Sequence, residues 1–300
     1  MIVTRPNVAW QYPAITEQKA FESLRKNPIA EATYLAFPWA TMIDRSNHLH
    51  DYLDHQLSDV GPAPGGFTIC QHVHWRNILP KLERLQVKTL FASHAGKHDS
   101  SIEVLPFPLH PVHRVLAKRK DILYSFIGAY DPEWYLTDVR KRIFDMKHSE
   151  SAVVKKRPYW HFAPTVYDEQ LEGKDIPLEK KADLDERENE YRDILARSIF
   201  SLCPSGSGPN TIRLWESLYA GAIPVILSDD LILPDEECFE WDRCVIRIPE
   251  KDVEKVPAIL QGMSDQEMQD RKRRCLQCYI GHLISSGSRL GAFIKRNLRA

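Results

Sequence analysis

The sequence predicts an α/β protein of two domains, each a parallel sheet covered on both faces. Three observations carry this expectation. Short apolar runs alternate with helical patterns along the 300-residue chain, which is the mark of strand–helix–strand units. Runs such as Ile223–Leu227 are apolar without a break, as strands buried on both faces must be. The alternation comes in two series, parted at Pro106–Lys120 by a Pro-rich and then basic stretch without periodicity. The expected domains are residues 1–115 and 116–284, followed by a last helix within 285–300.

In the first series the expected strands are Thr33–Pro38, Phe67–Cys70, Lys88–Ala92 and Glu103–Leu105, and the helices are Gln18–Lys26, Asn47–Gln56 and Arg76–Leu85. The second series opens with strand Ile122–Ile127, a helix over Pro132–Lys147 and strand Ser151–Lys155. A segment dense in both charge signs, Asp168–Arg192, reads first as a surface loop and then as the solvated start of a helix that reaches Arg197. Strand Ile199–Cys203, a helix from Asn210, and strands Ile223–Leu227 and Cys244–Ile248 follow. Helices Asp252–Gln261, Asp265–His282 and Arg289–Leu298 close the chain.

Composition excludes several classes. Lys and Arg number 40 against 41 Asp and Glu, and 43% of residues are hydrophobic. That balance excludes a disordered chain and argues against a general nucleic-acid binder. No apolar run is long enough to span a membrane. Met1–Trp10 lacks an apolar signal core, so the expected location is cytoplasmic. Six cysteines in 300 residues do not make a disulfide scaffold. Cys275, Cys278 and His282 have C-x2-C-x3-H spacing but lack a second cysteine pair. They read as thiols along a C-terminal helix, and no metal site is expected.

The segment richest in chemistry is Ile199–Leu233. A strand ends at Pro204, a loop of Ser205, Gly206, Ser207 and Gly208 follows, and Pro209, Asn210 and Thr211 open a helix. Pro suits a first helical turn, and Asn or Thr suits a cap. Such a helix start offers unpaired N–H groups to an anion, and glycines let phosphate oxygens approach the backbone. Arg213 can add a bidentate cation, and Glu216, three residues on, can accept both hydroxyls of a ribose. An exposed Arg–Glu pair after a flexible loop explains the same residues on physical grounds alone. The spacing is neither that of a Walker loop nor that of a dinucleotide fingerprint.

This segment resembles the C-terminal signature of exostosin-like glycosyltransferases. The resemblance rests on Cys203-Pro204 at the strand end, where the family has Cys-x-Pro, Gly206-x-Gly208-Pro209, Arg213-Leu214-x-Glu216, Gly221-x-x-Pro224-Val225-Ile226, Ser228-Asp229-Asp230 and Pro234. Phe126-Ile127-Gly128 with Arg140 downstream resembles the family's opening of its donor domain. Pro38 and Cys70–His74 echo its N-terminal half, with Gln71-His72 where the family often has Asp-His. The resemblance implies a GT-B fold, two Rossmann-like domains facing across a cleft, with the last helix crossing back to the first domain. It implies transfer of a hexose or pentose from a nucleotide-sugar, usually a UDP-sugar, to a glycan hydroxyl, inverting and without metal. The donor-binding candidates are Gly128, Arg140, Ser205, Gly206, Ser207, Gly208, Asn210, Thr211, Arg213 and Glu216.

The acceptor hydroxyl needs a general base, expected from the N-terminal domain. His72 and His74 alternate, so on an extended segment they point the same way, and histidine titrates near neutrality. Asp44 is the competing carboxylate. His48 and His50 fall on the expected helix Asn47–Gln56. Trp39, Trp75 and Trp134 are candidates for sugar stacking against core packing. Asp183-Leu184-Asp185 lies in the charged run and reads as solvated surface. Two other functions remain open. One is a metal-dependent hydrolase built on His72 and His74. The other is a non-catalytic nucleotide-sugar or glycan binder.

Overall fold

The computed structural model describes residues 1–112, 115–236, 239–282 and 288–298. The chain divides into two compact units. Unit 1 is Met1–His110 with Ile232–Pro234 and Gly281–Ala300, and unit 2 is Pro111–Leu231 with Asp235–Ile280. Among the described residues, no helix is long and apolar enough to cross a membrane.

Unit 1 holds five parallel strands in chain order: β1 (Ile2–Thr4), β2 (Tyr34–Ala36), β3 (Gly66–Cys70), β4 (Val87–Ala92) and β5 (Glu103–Pro106). Strand side chains alternate between faces, so each strand feeds two cores. Leu35, Leu90 and Ala92 pack under Trp39, Met42, Leu53 and Leu82. These come from α2 (Trp39–Ser46), α3 (Tyr52–Gln56) and α4 (Leu79–Arg84), which follow α1 (Thr16–Lys26) in the chain. On the opposite face Tyr34, Phe67 and Phe91 meet Ala20 and Leu24 of α1, with Leu290 and Ile294 of the C-terminal helix Ser288–Leu298.

Unit 2 also holds five parallel strands: β6 (Ile122–Gly128), β7 (Val153–Lys156), β8 (Ser198–Pro204), β9 (Ile223–Leu227) and β10 (Ile246–Arg247). Their spatial order is β10-β9-β8-β6-β7. The chain therefore steps outward from β6 to β7, returns past β6, and builds the rest on the other side. The reversal lies between β6 and β8. Their carboxyl ends part there and leave the crevice in which doubly wound sheets hold ligands. α5 (Val139–Asp145) covers one face together with the 3-10 segment Glu250–Lys255 and helix Val256–Gln261, through Val139, Ile143, Val253 and Leu260 against Phe126, Leu202 and Val225. α6 (Leu178–Arg197) covers the other face through Ile194 against Ile122 and Ile127. α7 (Ile212–Tyr219) joins β8 to β9.

The structure departs from the sequence expectation locally. β1 and α2 were not expected. The helix expected over Asn47–Gln56 is a turn at 47–51 followed by α3, so exposed His48 and His50 are not helical; Asp51, at φ 65°, breaks the run. The helix expected over Pro132–Lys147 is confined to α5. Residues 131–138 form a turn in which Glu133 N donates to Asp131 Oδ1 (2.9 Å) and Leu136 N to Gly206 O (2.9 Å). The expected loop at the head of the charged segment holds a π-helical stretch, Pro164–Leu171, and α6 then starts at Leu178. Asp183 lies on α6, where its carboxylate takes Arg187 Nε at 2.9 Å.

Candidate functional site

The site of unit 2 forms where β6 and β8 diverge. β8 runs into Ser205 and Gly206, whose amides are bonded within the protein: Ser205 N to Leu227 O (3.0 Å) and Gly206 N to Gly208 O (2.9 Å). Ser205 Oγ donates to Glu250 Oε1 (3.0 Å) and lies 3.1 Å from Thr137 Oγ1. These two residues therefore shape the loop. The open amides come later. Among the described residues no hydrogen bond engages the amides of Ser207 and Gly208, nor those of Ile212 and Arg213 in the first turn of α7. Thr211 is the N-cap, with extended backbone. Asn210 Oδ1 accepts from Thr211 N (2.9 Å) and from the buried indole of Trp215 (3.0 Å), which locks the loop onto the helix.

Two arginines converge behind this loop. Arg140, on α5, is 8% exposed. Its Nε donates to Ser205 O (2.7 Å) and its Nη1 to Ala129 O (3.2 Å). Gly128 and Gly206 make room for it. A Cβ on Gly206 would stand 3.2 Å from Arg140 Nη2, and one on Gly128 3.4 Å from Nη1. Arg213, on α7, donates from Nη2 to Ile127 O, while its buried Nε and Nη1 have no partner. Both guanidiniums lie against the Phe126 ring, at 5.6 and 4.6 Å from its centroid. Among the described residues no carboxylate forms an ion pair with either. Burial pushes the Arg140 pKa down to about 10, and the charge of Arg213 adds to this effect. A buried and a half-buried cation side by side, with no ion-paired carboxylate, are unfavourable unless an anion arrives. Glu216 is buried and accepts from the Tyr191 hydroxyl. The Arg213 guanidinium stands 5.4 Å from the same Tyr191 ring, so the two family positions share one neighbour. Asp229 Oδ1 accepts from Glu250 N (3.0 Å) and caps the 3-10 segment.

The carboxyl edge of unit 1 has different chemistry. His72 Nε2 and Asp44 Oδ1 are 3.0 Å apart, and the His74 amide donates to His72 Nδ1 (3.1 Å). An acceptor Nδ1 places the ring proton on Nε2, facing the carboxylate. Asp44 Oδ2 accepts from the Gln11 amide. The three base candidates thus form one cluster, with the His72 and His74 rings 5.3 Å apart. Beside it Glu17 is 1% exposed and accepts from Gln71 N (3.0 Å) and Ala40 N (3.3 Å). Burial pushes its pKa up to about 8 against those hydrogen bonds, and Asp44 adds to the rise. Gln71, at the family's Asp position, clamps the 11–17 loop: its Oε1 accepts from Glu17 N (3.2 Å) and its Nε2 donates to Ala14 O (2.6 Å). Burial holds the His74 pKa below the usual histidine value, with His72 as a second cause.

Trp39 and Trp75 are core residues, with indoles bonded to Thr68 Oγ1 (2.6 Å) and His94 O (2.8 Å), whereas Trp134 is exposed. Cys275 lies 3.4 Å from Cys244, sulfur to sulfur. The side chains of Cys278 and His282 lie outside the described residues. Sequence reasoning missed Tyr191, Thr137, Glu250, Gln11 and Glu17. None carries a local signal, because each reaches its partner across at least 25 residues of chain.

Fold and site together define a parallel α/β protein with a glycine-rich loop at the switch point of its second sheet. Residues 54–263 match the Exostosin GT47 domain, and the chain belongs to that family. It is 37% identical over 237 residues to the probable beta-1,4-xylosyltransferase IRX10 of Arabidopsis thaliana, covering 71% of this chain and 49% of the relative. It is 33% identical over 96 residues to the exostosin-1 homolog of Caenorhabditis elegans, covering 32% and 25%. It is 28% identical over 203 residues to the probable glucuronosyltransferase GUT1 of rice, covering 63% and 42%. The chain thus spans less than half the length of these relatives. The crystal structure of the pneumococcal O-GlcNAc transferase GtfA with UDP and GlcNAc aligns with 83% of this chain and 47% of its own at 12% identity and a TM-score of 0.39, a likeness too low to carry an argument.

Proposed function

We propose that the protein is a glycosyltransferase that moves a sugar from a nucleotide-sugar, a UDP-sugar first among them, to a hydroxyl of a glycan, with inversion and without metal. Membership of the family supports this reading, and so do relatives named as xylosyl- and glucuronosyltransferases. The observation that carries it is the pair of buried Arg140 and half-buried Arg213, with no ion-paired carboxylate among the described residues, set behind the open amides of Ser207, Gly208 and the α7 start.

In this reading the donor's diphosphate lies against those amides. The acceptor oxygen attacks the anomeric carbon, the bond from that carbon to the diphosphate oxygen breaks, and the electron pair leaves with UDP. The helix start and Arg213 stabilise the growing negative charge, and being fixed beforehand they need no reorganisation. Arg140 holds the loop through Ser205 O and adds its own charge. Glu216, oriented by Tyr191, takes the ribose hydroxyls. The base candidates lie on unit 1. His72 exchanges the His74 amide for the acceptor proton at Nδ1, and Asp44 holds Nε2–H and stabilises the imidazolium.

Thermal shift with UDP and UDP-sugars tests the donor site, since a ligand of the native state raises its stability. The response is expected to vanish in Arg213→Ala and Glu216→Ala while both variants stay folded. Wild-type response in both would refute the site. Saturable UDP binding without turnover on any acceptor would instead favour a binding protein.

A further inference from the structure

Among the described residues, every exposed Trp, Tyr or Phe side chain lies on two loops of unit 2. Trp134, 70% exposed, follows β6; Tyr159, Trp160 and Tyr167, at 37, 40 and 46%, follow β7. Elsewhere the large rings are interior, as with Trp39, Trp75, Trp215 and Trp241, none more than 3% exposed. Both loops leave the same carboxyl edge. Gly128 and Lys156, which end the two strands, are register partners, and Arg157 N donates to Gly128 O at 2.7 Å. Leaving large rings in water forgoes the gain of burying them, and exposed apolar clusters mark binding sites. The second loop also contains the π-helical stretch Pro164–Leu171, a rare geometry frequent at functional sites.

The chemistry around the rings suits a sugar. Trp160 and Tyr167 are 6.1 Å apart at 64°, so their faces diverge and make no flat wall for a protein surface. Charged groups stand among them: Arg187 lies over Tyr159 at 5.4 Å, and His161 is 4.0 Å from Glu188. Arg187 and Glu188 are on α6, about one turn before Tyr191, which bonds Glu216. The aromatic loops are therefore continuous with the donor site. Four rings on two loops exceed what one nucleobase covers.

We propose that these loops form a platform for a chain of linked sugar rings, the glycan that accepts the transfer. Ring faces lie on Trp134 and Trp160, and hydroxyls reach Arg187 and Glu188. Its role as acceptor subsite rests on the transferase reading, whereas glycan binding itself does not.

The test is a titration of the whole chain with xylohexaose and with cellohexaose, followed by tryptophan fluorescence, since Trp134 and Trp160 are the exposed indoles that a ligand can reach. A saturable change is expected with at least one of them. Trp134→Ala and Trp160→Ala are each expected to weaken that affinity at least tenfold, with Tm and UDP affinity within twofold of wild type. No saturable change with either hexasaccharide, unchanged glycan affinity in both variants, or loss of UDP affinity instead would each overturn the platform. Failure of the wild type to bind UDP would overturn the donor site and leave a confirmed glycan response standing, so the two failures are distinguishable.

Discussion

The two parallel sheets end in carboxyl edges of opposite character. In unit 2 the edge carries the guanidiniums of buried Arg140 and half-buried Arg213, with no ion-paired carboxylate among the described residues. In unit 1 it carries Glu17, Asp44, His72 and His74, linked through Gln11, Gln71 and backbone amides. A parallel sheet supplies the place, and the residues set on its edge supply the chemistry. One edge suits holding an anion, the other moving a proton.

The sharpest way to break this contrast is kinetic. His72→Ala is expected to lower turnover about 10²–10⁴-fold, the usual worth of a general base, with UDP affinity unchanged in calorimetry. Equal losses of turnover and UDP affinity would dissolve the division of labour. Next in size, Arg213→Ala is expected to weaken UDP about 10–100-fold, the loss of charged hydrogen bonds. Its Tm stays level or rises, because two buried donors without partners leave with it. Arg140→Ala has the opposite profile in thermal denaturation. It strands the carbonyls of Ser205 and Ala129 and empties the space between two glycines, for about 2–4 kcal/mol of stability.

On the other edge, Glu17 sharpens the comparison through pH. Its folded pKa, about 8, lies above the ordinary 4.5, so the folded state favours the protonated form. The stability this contributes is whole below about pH 4.5 and is lost as pH rises through 8. Denaturation midpoints in that window are expected to fall with pH in the wild type and to flatten in Glu17→Gln, by an amount on the order of a few kcal/mol. An unchanged slope would mean that the amides of Gln71 and Ala40 keep Glu17 ionised. The smallest effect is expected from Gly206→Ala. Its Cβ presses on the tip of Arg140 at 3.2 Å, a strain of about 1 kcal/mol with a few-fold loss of UDP affinity.

Much of the molecule was legible because parallel strands announce themselves as apolar runs. Ile223–Leu227 and helix Asp265–His282 match the expected limits residue for residue. β1 was not legible, since three half-buried residues carry no pattern. Nor was α2, whose eight residues, Trp39–Ser46, span barely two turns and are too few to establish a helical period. The donor loop stood out because a glycine-rich turn before a helix is a local signal. The roles within it were not local. Gly206 read as room for a phosphate, yet it sits against Arg140. Asn210 read as a ligand, and its carbonyl is held by Trp215. The His72–Asp44 bond spans 28 residues, so proximity of candidates in space, not their spacing in sequence, singled it out.

The most direct measurement is a crystal structure with UDP. The account predicts the diphosphate within hydrogen-bond distance of the amides of Ser207 and Gly208 and of the α7 start, with Arg213 turned onto it and the ribose on Glu216. A nucleotide bound elsewhere, with Arg213 still donating only to Ile127 O, would contradict it.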